Sequence, residues 1–167
     1  MITEPSAGSK AQDFTLPGVR CAEFTLSSKV KEGPVLLYFY PTDYGLMCTF
    51  YGERLNEAYD GLTDAGVTMY AISPNDISSH IGWMKRINSV YDHLSDVDQK
   101  VSKMYGMLVS ESYELVPFNN RGFALIDGDM MIRYIWRAEI AADIIDPEVL
   151  VEKVRDALKG NGVLPSE

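Results

Sequence analysis

A chain of 167 residues with 46% hydrophobic and 23% charged side chains has room for one core and the composition of a globular domain, not of a disordered or fibrous protein. Its net charge of -9, with 24 acidic against 15 basic residues and no local Lys/Arg cluster, opposes the phosphate neutralisation that nucleic-acid binding needs, and no apolar run approaches the ~20 residues that cross a bilayer. Two cysteines, Cys21 and Cys48, are too few for a disulfide framework and Met1–Pro5 lacks the start of an export signal, so a reducing cytoplasm is the expected setting.

Residues 1–12 are small and polar and read as a loose lead-in to a single domain over 13–160, with 161–167 as a frayed tail. Phe14–Leu16 and Phe24–Leu26, separated by Pro17-Gly18, predict a small hairpin with Cys21 near its turn. Val35–Tyr40 is a continuous apolar run of strand length, the pattern of a strand buried on both faces, and it stops at Pro41. From Cys48 the period becomes helical: Cys48, Tyr51, Leu55, Ala58, Tyr59 and Leu62 form one face, and Gly66 ends it.

Val67–Ile72 predicts a second buried strand, and Ser73–Asp76 turns into a helix carrying Ile77, Ile81, Met84 and Ile87. Asp96 offers a cap for a short helix with Val97, Val101 and Met104. Gly122–Asp127 and Met131–Trp136 flank the turn Gly128-Asp129 as a hairpin, and a last helix runs from Pro147 to Gly160. Parallel strands joined through a helix, followed by a hairpin and a closing helix, predict an α/β fold. Its form is a thioredoxin-like three-layer sandwich with a mixed central sheet and an added N-terminal β-hairpin.

Cys48 falls at the start of an amphipathic helix a few residues past a buried strand, where unpaired amides and the positive end of the macrodipole favour an anion. The thiolate is that anion, and it is the nucleophilic form of cysteine. His80 and His93 form no short ligand motif with it, so no metal and no cofactor is expected.

The string Pro41-Thr42-Asp43-Tyr44-Gly45-Leu46-Met47-Cys48-Thr49 resembles the peroxiredoxin active-site loop, P-x-x-x-T/S-x-x-C, at the same strand-to-helix junction. Tyr38–Pro41, Ala71–Ser73 with Ser79-His80, Leu94–Asp96, Tyr105-Gly106, Asn120–Phe123, and Ile126-Asp127 with Arg133–Trp136 follow in family order. The resemblance covers nearly the whole chain and is nearest to the single-cysteine alkyl hydroperoxide reductase E or Q-type groups. It implies a thiol-dependent peroxidase that reduces hydrogen peroxide or organic hydroperoxides through a Cys48 thiolate, which becomes a sulfenic acid. Pro41 would shield the thiolate, the amides of Met47 and Cys48 would hold the peroxide, and Arg121 would stabilise both the thiolate and the transition state. A homodimer with the loop around Tyr44–Met47 near its interface is also implied.

Two positions depart from the family pattern. Gly45 replaces the Thr or Ser whose hydroxyl touches sulfur and peroxide, with Thr42, Tyr44 and Thr49 as candidate substitutes. Tyr51 stands where the family has Glu, which predicts a different setting for the arginine. The alternative function is therefore a redox-sensing or binding module with weakened turnover. Cys21 is the one candidate for a resolving thiol, because Glu53 occupies the position where Q-type members often carry a second cysteine. An external thiol or thioredoxin-like reductant is the expected partner.

Overall fold

The computed structural model describes residues 4–109, 118–140 and 142–160. Its hairpin consists of two short antiparallel strands, β1 (Thr15–Leu16) and β2 (Phe24–Thr25), running into one helical turn, α1 (Leu26–Lys29). The central strand is β3 (Val35–Phe39), buried throughout as its unbroken apolar sequence predicts. Alternation along it sends Leu36, Tyr38 and the following Tyr40 to one core cluster and Val35, Leu37 and Phe39 to the other.

The helical stretch that follows is not one rod. It starts at Leu46 and consists of α2 (Leu46–Arg54), a 3-10 turn at Leu55–Ala58, and α3 (Tyr59–Asp64). The tighter turn shifts the buried stripe, so that Leu55, Ala58 and Leu62 stay inside while Tyr59, expected in the core, is 46% exposed. Then come β4 (Thr68–Ser73) and α4 (Ile77–Arg86), capped by the Asp76 carboxylate, which accepts from the Ser79 amide. Here too one predicted core residue, Ile81, is largely exposed, and the buried face is taken by His80, Trp83, Met84 and Ile87.

β5 (Asp92–Ser95) was not expected as a strand, because Asp92-His93-Leu94-Ser95 carries no apolar alternation, yet all four residues are buried. α5 (Lys100–Met104) begins later than predicted, leaving Val97 exposed, and Asp96 reaches its first turn by accepting from the Val101 and Ser102 amides. A two-residue pair, β6 (Leu108–Val109) with β7 (Phe118–Asn119), precedes the hairpin β8 (Gly122–Ile126) and β9 (Ile132–Arg137), and α6 (Pro147–Lys159) closes the chain with Asp146 as cap.

The five-stranded sheet runs in the order β5-β4-β3-β8-β9, parallel across β3, β4 and β5 and antiparallel across β3, β8 and β9. α2, α3, α4 and α6 pack residues such as Tyr51, Leu62, Trp83 and Val154 onto one face; the hairpin, α1 and α5 cover the other with Phe14, Phe24, Leu26 and Val101. That is the three-layer arrangement with its added hairpin.

Residues 8–11, expected in a loose lead-in, are instead paired with the start of β9. The Gly8 amide donates to Ile132 O, the Ala11 amide to Met130 O, and the Ile132 amide returns to Ser9 O. A turn in which the Ser9 hydroxyl bonds back to Ser6 O, with Gly8 at φ +93°, sets up this pairing. The tail at 161–167 lies outside the described residues.

His93 on β5 gives a pH dependence. Burial, reinforced by the neighbouring His80 ring, lowers its pKa from 6.5 to about 3. A histidine depressed in the folded state contributes no loss above the unfolded value. As pH falls below about 6.5 the unfolded chain takes up a proton that the folded chain refuses, so stability declines until about pH 3. Over that window the loss is on the order of 5 kcal/mol at 1.36 kcal/mol per pH unit, comparable to a domain's whole stability. Urea midpoints at pH 7, 5.5 and 4 are expected to fall steeply, and His93→Gln is expected to flatten the decline.

Candidate active site

Cys48 is the third residue of α2 and is buried, with 4% of its surface exposed. Gly45, the residue before the helix, is extended (φ -67°, ψ 151°), and its carbonyl accepts the first helical bond from the Thr49 amide at 2.8 Å. The amides of Leu46, Met47 and Cys48 therefore point out of the helix start with no intrahelical acceptor, the arrangement that holds an anion or a polarised oxygen.

Arg121 arrives from the other side of the sheet order. The register that pairs Phe39 with Gly122 and Tyr38 with Phe123 delivers the residue just ahead of β8 to the end of β3, where the loop toward Cys48 begins. Its side chain is buried, with 1% of the residue exposed. Nη2 lies 3.8 Å from Cys48 Sγ, and Nη1 donates to Tyr38 Oη at 2.6 Å. The guanidinium also sits 5.6 Å from the centre of the Tyr51 ring.

Burial works against the charge of Arg121, but Tyr38 and Cys48 beside it outweigh burial and hold its pKa above the ordinary arginine value. Burial pushes the Tyr38 hydroxyl well above the ordinary tyrosine range, with Arg121 only opposing that rise, so Tyr38 meets the cation as a neutral acceptor. The replacement of Glu by Tyr51 thus has a structural consequence: an aromatic face takes up one side of the guanidinium, and the Tyr51 hydroxyl is bonded to Ile145 O at 2.5 Å.

Of the predicted site residues, Cys48, Arg121 and the Met47 and Cys48 amides converge. Pro41 opens the loop, half-buried, beside a cavity of ≈ 290 Å³ that it shares with Val109, Phe118 and Ile140. The three candidate hydroxyl substitutes do not bond to Cys48 Sγ. Thr49 Oγ1 donates to Gly45 O at 2.7 Å, and Thr42 Oγ1 donates to Asp43 O at 3.1 Å. Tyr44, at φ +65°, turns its ring edge-on to Trp83 with centroids 5.3 Å apart. Cys21 packs with the core on the opposite face of the sheet from Cys48, and its thiol donates to Asp92 Oδ2 at 3.4 Å. Burial and then that carboxylate raise its pKa, so Cys21 is held as a thiol.

Tyr38 was missed by sequence reasoning as a site residue because it reads as one member of an apolar strand. The alternation of β3, which points it to the same face as Cys48, was the available signal.

At Gly45 a Cβ would meet Cys48 Sγ at 3.5 Å and Thr42 Cγ2 at 3.3 Å, and the backbone there is ordinary for any residue. A side chain thus fits once Thr42 gives by a few tenths of an ångström, and a hydroxyl on it would reach the sulfur. One added hydrogen bond in a polarised site is worth about 1 to 3 kcal/mol, so Gly45→Thr is expected to raise the peroxide rate constant roughly tenfold or more in stopped-flow measurements.

Comparison with known proteins places this geometry. The model of the AhpC/TSA family matches residues 7–135. A bcp protein of Coxiella burnetii is 30% identical over 131 residues, covering 77% of this chain and 86% of that protein. Chloroplastic peroxiredoxin Q of Triticum aestivum is 32% identical over 131 residues, 78% of this chain, though the chain spans only 58% of that relative's length. Among solved structures, PrxQ of Xylella fastidiosa shares the fold with TM-score 0.82 at 19% identity over 94% of this chain and 99% of that one. Peroxidoxin BcpB of Mycobacterium tuberculosis gives 0.79 at 22%, over 92% and 98%. With most of its length matched and a cysteine, an arginine and a helix start meeting at one point, this chain belongs to the AhpC/TSA family, the peroxiredoxins.

Proposed function

We infer that the chain is a thiol-dependent peroxidase that reduces hydroperoxides at Cys48. The observation that carries the assignment is the buried guanidinium of Arg121 at 3.8 Å from a sulfur seated on a helix start. In the reaction the Cys48 thiolate attacks the terminal oxygen of ROOH. An S–O bond forms as the O–O bond breaks, sulfur loses two electrons, and the leaving RO⁻ takes up a proton to become water or an alcohol. The Met47 and Cys48 amides and Arg121 oppose the negative charge that develops on those oxygens. The apolar neighbours of Pro41 in its cavity, Val109, Phe118 and Ile140, suit the tail of an organic hydroperoxide.

The sulfenic acid is then reduced by an external thiol or a thioredoxin-like protein. Cys21 supports this single-thiol cycle by its position across the sheet and its retained proton. Cys21→Ser is expected to leave turnover within about twofold of wild type, and mass spectrometry of peroxide-treated protein to find sulfenic or sulfinic Cys48. An intrachain Cys21–Cys48 disulfide would overturn this part of the assignment. A second copy of the chain is the proposed partner at the loop, where Tyr44, Leu46 and Phe50 are 56%, 89% and 50% exposed. Leu46→Glu is expected to shift sedimentation to monomer. Two free thiols support a reducing, cytoplasmic setting.

A further inference from the structure

The active-site loop carries a buried acid that the peroxide chemistry above does not use. Asp43 lies between Pro41 and Cys48 with its side chain fully enclosed, and its carboxylate has three side-chain partners. Oδ1 accepts from Tyr40 Oη at 2.5 Å and Oδ2 from Ser79 Oγ at 2.8 Å, and His80 Nδ1 lies 2.8 Å from Oδ2. The His80 ring is equally enclosed, and its other nitrogen, Nε2, lies 3.0 Å from the carbonyl oxygen of Leu94 on β5.

The hydrogen count follows from these partners. A backbone carbonyl only accepts, so Nε2 carries hydrogen. Nδ1 faces a carboxylate, which favours its ionised form when several donors surround it. With Tyr40 and Ser79 already donating to this carboxylate, a hydrogen on Nδ1 completes its set of donors. His93 stands 5.5 Å away, ring centre to ring centre, and is kept neutral by burial, so it neither supplies nor takes this charge.

Asp76, Asp96, Asp92 and Arg20, on the surrounding elements, have partners of their own. Asp76 caps α4 through the Ser79 amide, and Asp96 binds the Val101 and Ser102 amides. Asp92 takes the Arg20 and His93 amides, and the Arg20 guanidinium is bound by Ser89 O and Val90 O. Burial, then the Asp43 charge, keeps the Tyr40 hydroxyl far above the ordinary tyrosine value.

We propose that Asp43 and a doubly protonated His80 form a positioning pair that pins the active-site loop to α4 and β5, and so sets the peroxide-binding amides against Cys48. The loop backbone is pinned at the same residue, since the Asp43 amide donates to Asn75 Oδ1 at 2.9 Å, and Asn75 is held by Ser73 Oγ. From Asp43 the chain reaches Gly45, whose carbonyl starts α2, in two residues. Loss of the imidazole hydrogen would leave the carboxylate short of a donor and free that segment to shift. The consequence rests on the peroxidase reading; the protonation state of the ring does not.

The test therefore has two independent arms. In protein labelled with 15N-histidine at pH 7, the His80 ring is expected to show both nitrogens protonated and His93 a neutral ring; a neutral His80 ring would overturn the proposal. In His80→Gln, the peroxide rate constant is expected to fall at least tenfold while alkylation of Cys48 by iodoacetamide, which needs no bound peroxide, changes by less than about threefold. Ser79→Ala, which removes a donor without stranding a charge, should lower the same ratio a few-fold if His80→Gln does not fold. An unchanged ratio in the folded variants would refute the positioning role, whereas a wild type inert to peroxide with His80 protonated would refute the peroxidase reading alone.

Discussion

Cys48→Ser is expected to abolish peroxide reduction, a loss on the order of a million-fold that leaves only the solution background. Removing the nucleophile of an enzyme that works through a covalent intermediate costs on that scale, because no remaining group performs the first bond-forming step. A serine hydroxyl stays protonated at neutral pH and has no sulfur lone pair to accept oxygen. The exchange changes little in packing: the residue is already enclosed, and its neighbours Tyr38, Tyr51 and Phe123 form a stacked and edge-on aromatic wall that does not depend on the thiol. Circular dichroism and the urea midpoint should therefore stay close to wild type while peroxide consumption disappears. An active serine variant would place the chemistry elsewhere, and Cys21, a thiol bonded to Asp92, would be the next sulfur to examine.

Arg121→Ala should produce the second largest effect, a fall of about 10² to 10³ in the rate constant for peroxide, the scale on which one preorganised donor at a developing oxyanion counts. It removes together the bond to Tyr38 Oη at 2.6 Å, the approach to Cys48 Sγ at 3.8 Å and the placement over the Tyr51 ring. The variant also leaves a buried hole and a Tyr38 hydroxyl short of a donor, so a stability loss of about 1 to 3 kcal/mol should accompany it. Arg121→Lys separates charge from geometry. Lysine keeps the positive charge but lacks the planar fork that serves Tyr38 and the sulfur at once, and it cannot lie over the Tyr51 ring in the same way. Its rate constant is expected to fall between those of alanine and wild type, with stopped-flow tryptophan fluorescence as the readout. Equality of the alanine variant with wild type would remove Arg121 from the chemistry.

What could be read from the sequence divides along physical lines. β3 and β4 were legible because a strand buried on both faces is written as an unbroken apolar run, and Val35–Phe39 and Thr68–Ser73 are nearly that. β5 was not, since Asp92, His93 and Ser95 owe their burial to partners far along the chain: the Arg20 amide for Asp92, the Tyr40 ring edge-on to His93, and Pro17 O for the Ser95 amide. The break in the helix after Arg54 was hidden for a related reason, because helical periodicity tolerates a short 3-10 turn and its effect shows only as the outward turn of Tyr59.

In the site, Cys48 and Arg121 were found through the spacing of the loop and the order of the later segments, and their meeting follows from the β3–β8 register. The pairing of Asp43 with His80 carries no such signal. An acid in a loop and a lone histidine in a helix look like solvated groups until the fold closes both against Tyr40, Ser79 and Leu94 O. Polar residues whose satisfaction is non-local are the ones a linear reading misses.

The central claim, that a thiol on a helix start beside a guanidinium has become a peroxide-directed nucleophile, is tested most directly by stopped-flow oxidation of Cys21→Ser protein with hydrogen peroxide at pH 7. Cys48 is then the single sulfur of cysteine in the chain. A second-order rate constant at least about a hundredfold above that of free cysteine is expected, the value of about 3 kcal/mol of transition-state stabilisation from the amides and Arg121. A rate constant equal to that of free cysteine would contradict it.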